Sequence, residues 1–410
     1  MFATILNNTW FLAAIWIGLA FFASLISIRL GISVALIEII VGIIAGNFLG
    51  LHQTNEWINF LASLGSVVLT FLSGAEIDPV SLRANLKSSL TVGLLAFFLP
   101  FGGVWLFTQF VLGWDIQQAQ IAGIALSTTS VAVVYAVMIE TGKSNTNLGK
   151  MILAACFIND LGTVIALGVL FAGFRLYLLV FIAATAAVMF FMPRITKYII
   201  TKCGEQRVSE PEVKFIFFIL FLLAGLATLA GSEAVLPAYL IGLVVAGVFV
   251  KDKTLISRMR AITFTVFTPF YFIKAGMNVS LHAVWLSFGV IAALFLMKVV
   301  CKVIGVWPAA RGFGMGFKEA NYTTLLMSTG LTFGTISAQF GLSHQIIGEA
   351  QYSVLVTVII LTAIIPTLIA QRFFEPSAEA MNAWGNVNSN KINGSLKRKE
   401  NHHAEDTGRS

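Results

Sequence analysis

Long apolar segments follow one another along most of this chain, and short polar connections separate them. A helix needs about 20 apolar residues to cross the hydrocarbon core of a bilayer. By that criterion the pattern predicts an all-α polytopic membrane protein with about thirteen transmembrane helices. The predicted spans are 10–28, 32–50, 57–76, 88–111, 119–140, 148–171, 175–192, 213–231, 235–250, 262–280, 283–307, 320–340 and 351–370.

Composition supports this interpretation. The chain has 410 residues, of which 58% are hydrophobic and 11% are charged, a balance that excludes an ordinary soluble domain. The three cysteines are scattered without metal or redox spacing, so we expect no disulfide framework and no zinc site. We also expect no cofactor. The first apolar run has no preceding basic cluster and no small-residue cleavage site, which favours a retained span over a signal peptide.

Lys and Arg divide between the connections in a way that predicts orientation. The net charge of +7 could suggest nucleic acid, but the basic residues lie between spans, so we expect the lipid bilayer as partner and no nucleic acid. With the N-terminus outside, the inner connections hold Arg29, Arg83, Lys87, Lys143, Lys150, Arg194, Lys197, Lys202, Arg207, Lys214, Lys251, Lys253, Arg258, Arg260, Arg311 and Lys318. The outer connections hold little more than Arg175. Over an odd number of spans, the positive-inside bias therefore predicts a cytoplasmic C-terminus. The expected location is a prokaryotic inner membrane.

Two spans are interrupted by hydroxyl-rich patches. The patch in the fifth span is Ser127, Thr128, Thr129 and Ser130, and the patch in the twelfth includes Ser328, Thr329 and Thr332. Paired interruptions at corresponding positions indicate broken helices at a midplane binding site. The offset of seven spans is odd, so the two halves predict an inverted repeat with the seventh span as connector. In the alternative interpretation, these hydroxyls bond to carbonyls of their own intact helices.

Asp160 is the first candidate functional residue, because it lies in the middle of the sixth apolar span. A charge at the bilayer centre costs roughly 2.5 to 3.5 kcal/mol on insertion scales, so it persists mainly where it has a partner or a function. Oxygen ligands from Asp160, Asn159 and the patch of Thr128, Thr129 and Ser130 suit a hard cation, and we predict sodium at Asp160. Ser328 and Thr329 are accessory candidates.

Charged side chains in other spans could complete this site. Lys302 and Lys274 are candidate partners for the carboxylate of Asp160. Snorkelling toward the cytosolic boundary is the alternative for Lys302, with Lys298 as its rival one turn deeper, and Lys274 could equally be an interfacial lysine.

Three further acids lie nearer the inner ends of their spans. For Glu38, Glu76 and Asp78 we expect water access and a role in shaping an entrance or capping a helix. The segment 371–410 has too few apolar residues to fold alone and predicts a disordered cytosolic tail.

Several segments together resemble one family, the monovalent cation/proton antiporters, especially the second branch with bacterial sodium/proton antiporters and potassium efflux systems. The resemblance covers about residues 10–370. The segments that carry it are 71–78, 125–133, 158–160, the surroundings of Lys302, and 318–320.

The resemblance implies the sodium/proton antiporter fold with two discontinuous, crossed helices. It implies a homodimer in which a dimerisation domain, 1–87 and 213–282, stays fixed. A core domain, 88–171 and 283–370, moves with the ion like an elevator, and 172–212 forms a linker helix and cytosolic loop.

The resemblance also assigns roles to single residues. Asp160 takes the position that binds cation and proton in turn. Asn159 matches most electroneutral members, whereas Lys302 matches charge-moving ones. The coupling ratio therefore stays open.

The function predicted is exchange of a monovalent cation, most readily sodium, for protons, in the service of pH homeostasis. Potassium or lithium could replace sodium. The first alternative is a potassium/proton antiporter or a potassium efflux system, regulated by a partner that the sequence does not identify. An intramembrane enzyme is disfavoured, because the spans contain no His-Glu-x-x-His or aspartate-rich element.

Overall fold

The structure is a computed structural model. It describes residues 8–30, 34–49, 51, 55–75, 85–144, 146–171, 176–203, 210–230, 234–249 and 253–384. Every regular element within these ranges is helical. The helices are α1 (Thr9–Leu30), α2 (Val34–Leu49), α3 (Glu56–Ala75), α4 (Leu86–Phe110), α5 (Ile116–Ser127), α6 (Val131–Glu140), α7 (Asn147–Phe171), α8 (Leu176–Cys203), α9 (Pro211–Ala230), α10 (Val235–Phe249), α11 (Lys253–Ile262), α12 (Thr268–Met277), α13 (Leu281–Leu286), α14 (Phe288–Gly312), α15 (Phe317–Met327), α16 (Thr332–Ser343) and α17 (Glu349–Phe373). A π-helical segment, Thr263–Phe267, joins α11 to α12.

The prediction of an all-helical membrane protein is confirmed. Seven of the described helices are long and apolar enough to cross a bilayer, and further apolar helices are shorter. Every predicted span coincides with one of these helices or with two consecutive ones, although the total of thirteen stays a prediction. The tenth predicted span, 262–280, begins late. Its helix starts at Lys253 with an amphipathic segment that a hydropathy criterion passes over.

Both predicted interruptions are real breaks in a helix. α5 ends at Ser127 and α6 begins at Val131, while α15 ends at Met327 and α16 begins at Thr332. Ser130 starts the second half of the first broken helix, because its hydroxyl accepts the amide proton of Val133 at 3.3 Å, as a capping serine does. The order of elements also repeats, since a broken helix lies between two long helices in each half, α4 and α7 in one and α14 and α17 in the other.

One group of helices, α2, α3, α10 and α12, packs through glycine contacts and is called the glycine-packed group. α2 crosses α12 so closely that a Cβ at Gly42 would collide with the carbonyl of Ile273, and one at Gly276 would collide with the carbonyl of Ile39. α3 and α10 meet in the same way at Gly74 and Gly242. Small residues permit such approaches between membrane helices.

A second group, α4–α7 and α14–α17, packs around the breaks and is called the break group. α4 lies against α5, α7 and α14, and α17 lies against α14, α15 and α16. The division into domains that the resemblance implies stays a prediction. The roles of the two groups stay predictions.

The packed chain continues past 371, where composition predicts the start of a disordered tail. Residues 378–384 form a short helix. Lys143 forms an ion pair with Glu375, and the Trp384 indole donates to the carbonyl of Phe313 at 3.0 Å. Met381 is completely buried. Met381 and Trp384 are too few to mark this segment by composition, yet both belong to a buried apolar cluster with residues of α4, α7 and α14.

Replacing Trp384 by alanine should destabilise the protein by about 3 kcal/mol, the usual cost of truncating a large buried aromatic side chain. Trp384 is 5% exposed, whereas Trp285 is 83% exposed, so Trp285→Ala is the matched control. Thermal unfolding in detergent should show a lower midpoint for the first variant only. Equal midpoints would mean that 374–384 does not brace the helices.

Candidate ion-binding site

Asp160 lies near the middle of the 25-residue helix α7. Thirteen residues separate it from the start of the helix, a distance of about 20 Å at the helical rise. The side chain is 1% exposed, and its Oδ1 atom has no hydrogen-bond partner among the described residues. One turn away, the hydroxyl of Tyr239 donates to the carbonyl of Phe157 at 2.9 Å and ties α10 to α7. The carboxylate therefore lies deep among helices, with an unsatisfied oxygen.

The two helix breaks meet next to this region. The amide of Ser130 donates to the carbonyl of Thr329 at 3.1 Å, and the Thr129 hydroxyl donates to the carbonyl of Met327 at 2.7 Å. At Gly334 a Cβ would lie within 2.9 Å of the Thr128 hydroxyl, so the two broken helices approach closely. The two discontinuous helices that the resemblance implies therefore meet at their breaks.

Asn159 bridges the first break. Its Oδ1 accepts the amide proton of Thr129 at 2.8 Å, and its Nδ2 donates to the carbonyl of Ser127 at 3.2 Å. Both backbone groups have lost their helical partners because the helix ends there. The sequence suggests Asn159 as an ion ligand, whereas the contacts show a brace that needs both a donor and an acceptor.

Lys302 is the cation at the first break. Its ammonium donates to the carbonyl of Ser127 at 2.7 Å and to the Thr129 hydroxyl at 2.9 Å. The side chain has no exposed surface, so the alternative of snorkelling to the cytosolic boundary is wrong. Lys302 is near enough to attract Asp160 electrostatically. Within the described part of the chain, however, the ion pairs closer than 4 Å all lie elsewhere.

Lys298 lies at the second break, next to Gly330. It is completely buried, and its ammonium donates to the Thr362 hydroxyl at 3.2 Å. A Cβ at Gly330 would collide with the Lys298 ammonium, so this glycine makes room for the lysine. Lys298 and Lys302 are four residues apart on one face of α14. That spacing is a sequence signal for two site lysines, although the sequence interpretation treats Lys298 only as a rival to Lys302.

Three further hydroxyls of the patches bond within their own helices. Thr128 donates to the carbonyl of Ala125 at 3.0 Å, Ser328 to Thr324 at 2.8 Å and Thr329 to Leu326 at 2.8 Å. The alternative interpretation therefore describes these bonds correctly, although the helices break as well. A hydroxyl that donates its proton still offers oxygen lone pairs. The patches can thus supply neutral oxygen ligands.

Several candidates lie away from this centre. Lys274 has no ion pair with Asp160 and lines a cavity between α3, α12 and α16. Glu38 is 1% exposed, which contradicts the expected contact with water. Glu76 and Asp78 fall outside the described residues.

Replacing Asn159 by alanine should lower the free energy of unfolding by about 1–3 kcal/mol, because it leaves the Thr129 amide without a partner in a buried place. Asn321→Ala is the control, since that amide bonds only to the carbonyl of Phe317 in its own helix. Thermal unfolding of both variants checks the difference. An unchanged midpoint for Asn159→Ala would show that the amide does not brace the break.

Comparisons with known proteins agree with this arrangement. The sequence model described as "Sodium/hydrogen exchanger, transmembrane" matches residues 17–375. The chain is 28% identical over 370 residues to the Na(+)/H(+)-K(+) antiporter GerN of Bacillus cereus, covering 87% of this chain and 94% of that protein. It is 25% identical over 347 residues to the probable Na(+)/H(+) antiporter 3 of Methanocaldococcus jannaschii, covering 82% and 89%.

A solved structure has the same fold. The sodium proton antiporter MjNhaP1 from Methanocaldococcus jannaschii matches with a TM-score of 0.66 over 91% of this chain and 96% of that chain, at 16% identity. The fold matches that of a solved antiporter, and the family model matches most of the length of the chain. The buried carboxylate beside two crossed helix breaks agrees with both. The chain belongs to the sodium/hydrogen exchanger family.

Proposed function

We propose that this multi-pass membrane protein exchanges sodium for protons, and that the two ions take turns on the carboxylate of Asp160. It is then a secondary transporter, like the antiporters that it resembles, and not an enzyme. One observation supports the proposal most strongly. Asp160 is buried beside two crossed helix breaks, and its Oδ1 has no hydrogen-bond partner in the described part of the chain.

Competition follows from the surroundings of the carboxylate. A bare charge that crosses a low-dielectric region costs several kcal/mol, whereas a protonated or cation-bound carboxylate does not. Each crossing therefore carries one ion or the other, and leak is suppressed. A permanent ion pair between Asp160 and Lys302 would remove this penalty. The separation of the two side chains by more than 4 Å is compatible with the scheme.

An elevator-like movement of the break group against the remaining helices would supply alternating access. Within the glycine-packed group, backbone contacts lock α2 to α12 and α3 to α10. Between the two groups, the bonds include single side chains, such as the Tyr352 hydroxyl on the carbonyl of Ala275 at 2.8 Å and the Asn278 amide on Gln339 at 3.1 Å. A side-chain hydrogen bond can break and form again with another partner during movement. Two helices whose backbones are in direct contact cannot slide past each other as easily.

The glycine-packed group, together with α1, would also form a homodimer. α1 exposes large apolar side chains, among them Trp10, Phe21 and Phe22, a surface that a second protomer or lipid would cover. We further propose that the N-terminus is outside and the C-terminus in the cytoplasm of a prokaryotic inner membrane, as the basic connections indicate. Cysteine labelling from each side of the membrane would test the orientation.

Transport assays in proteoliposomes test the proposed function. Purified protein with an imposed proton gradient should release protons when sodium is added, and lithium and potassium should be compared at equal concentration. Repeating the assay with the voltage clamped separates charge-moving from electroneutral exchange. Proton movement that is the same with and without added cation would contradict the proposal.

Potassium exchange is a second candidate, because the name of one relative, the Na(+)/H(+)-K(+) antiporter GerN, includes potassium beside sodium. Carboxylate and hydroxyl oxygens accept either ion, so cavity size and field strength decide between them. A faster response to potassium than to sodium in the same assay would favour it.

A further inference from the structure

A cavity of about 220 Å³ lies between α3, α12 and the second half of the second broken helix, α16. Its lining residues are Ala62, Ser63, Ser66, Tyr271, Lys274, Ile336, Gln339, Phe340, Ser343 and His344. It lies toward the ends of α12 and α16 that the basic connections place outside. The proposed exchange at Asp160 uses none of these side chains.

The cavity has a cationic and hydrogen-bond-donating wall. Lys274 is half-buried, and no carboxylate of the described residues lies within 4 Å of its ammonium. Tyr271, one helical turn earlier, is 4% exposed, and its hydroxyl has no hydrogen-bond partner among those residues. No acidic side chain of the described ranges lines this cavity. One face of α12 thus presents two donors that the rest of the described chain leaves without acceptors.

Gln339 on α16 and Ser66 on α3 already form hydrogen bonds within the protein. The Gln339 Oε1 accepts from Asn278 at 3.1 Å, while its Nε2 donates to the Ser343 hydroxyl at 3.1 Å. The Ser66 hydroxyl donates to the carbonyl of Ser63 at 2.8 Å. A ligand with its own acceptor atoms would satisfy the two donors of α12, and a negative charge on it would offset the charge of Lys274.

We propose that this cavity binds a small anion with a carboxylate or phosphate group, held by Lys274 and Tyr271. Charge-assisted bonds from an ammonium are stronger than neutral ones, so Lys274 supplies most of the affinity. The phosphate of a lipid headgroup and a free phosphate ion offer the same chemistry.

The position of the cavity implies an effect on transport, and this part of the inference rests on the proposed function. Lys274 and Tyr271 lie in the glycine-packed group, which stays fixed in the proposed movement, whereas Gln339 and Ser343 lie in the break group, which moves. A bound anion would touch both walls. It would hold the groups together and slow the exchange.

Binding is tested first, by isothermal titration calorimetry of inorganic phosphate and of acetate into the purified protein. Lys274→Gln should weaken binding of the preferred anion at least tenfold, and Tyr271→Phe should weaken it less. Lys87→Gln is the control, because Lys87 is exposed on α4, and it should bind as the wild type does. Equal affinity in the wild type and Lys274→Gln would overturn the proposal.

A second experiment, on bound lipid, distinguishes a lipid headgroup from a free phosphate ion. The protein is purified from vesicles that contain phosphatidylglycerol, and the retained lipid is measured by mass spectrometry. If Lys274→Gln no longer retains the lipid, the headgroup is the ligand. If the variant retains as much lipid as the wild type, and neither free anion binds, the proposal is overturned.

Transport is measured separately, with the preferred anion added to each side of the proteoliposomes. Slower exchange in the wild type, but not in Lys274→Gln, supports the link between the two walls. Inactive wild-type protein without any anion would contradict the proposed function, while the calorimetric result would still decide the anion site.

Discussion

Replacing Asp160 by asparagine should reduce sodium-driven proton movement by about 100-fold or more, a loss that corresponds to about 3 kcal/mol of the barrier. Asparagine has nearly the same shape, but it can neither release a proton nor hold a cation by charge. Because the variant also removes a buried charge without an ion pair, it should unfold at the same temperature as the wild type or at a higher one. Loss of transport together with retained stability would separate a transport role from a structural one.

Asp115→Asn is the matched control for this variant. Asp115 is exposed at the N-terminal cap of α5, where its amide donates to the Gln118 side chain at 3.2 Å. Asparagine caps helices about as well as aspartate does, so exchange should be unchanged. Sodium-dependent proton movement that survives in Asp160→Asn would contradict the assignment of Asp160.

Replacing Lys302 by methionine should slow exchange by about tenfold, which corresponds to about 1.4 kcal/mol. The change removes two hydrogen bonds at the first break, to the Ser127 carbonyl and the Thr129 hydroxyl. It also removes the positive charge that opposes the binding of either ion at Asp160. Both ions should then bind more tightly and leave more slowly.

Lys302→Arg is the control that keeps the charge, because arginine is always protonated and also donates hydrogen bonds. It should retain most of the rate, and sodium should reach half-saturation at a lower concentration only in the methionine variant. A methionine variant with the wild-type rate and pH profile would reduce Lys302 to a packing residue.

The helices and their breaks could be predicted from the sequence because each leaves a strong pattern. An apolar run of about 20 residues matches the thickness of a bilayer, and hydroxyl groups clustered inside two such runs mark places where backbone groups need new partners. Asp160 could be predicted on similar grounds, since an acid in lipid is costly.

The contacts at the site could not be predicted, because they depend on how helices distant in sequence approach one another. Asn159 looks like a ligand in sequence, and only the positions of the Ser127 carbonyl and the Thr129 amide show that it braces the break. Likewise, nothing near Lys274 in the sequence shows that α16 lies opposite it and not α7.

Lys298 and the segment that ends at Trp384 show a second reason why the sequence alone does not predict every contact. Gly330 leaves space for the ammonium of Lys298, and that space exists only in the folded protein. The segment up to Trp384 is polar on average, so its composition predicts disorder although two side chains anchor it. Composition averages over residues, whereas packing depends on single ones.

The central claim is that sodium and protons exclude each other at one carboxylate, and the dependence of sodium affinity on pH tests it most directly. Initial exchange rates in proteoliposomes should be measured over a range of sodium concentrations at several pH values, equal on both sides. On the acid side of the activity range, the sodium concentration for half-saturation should rise about tenfold for each unit that the pH falls, because one proton displaces one cation. The maximal rate should stay constant over the same range. A half-saturating concentration that does not change with pH, while the maximal rate does, would contradict competition at Asp160.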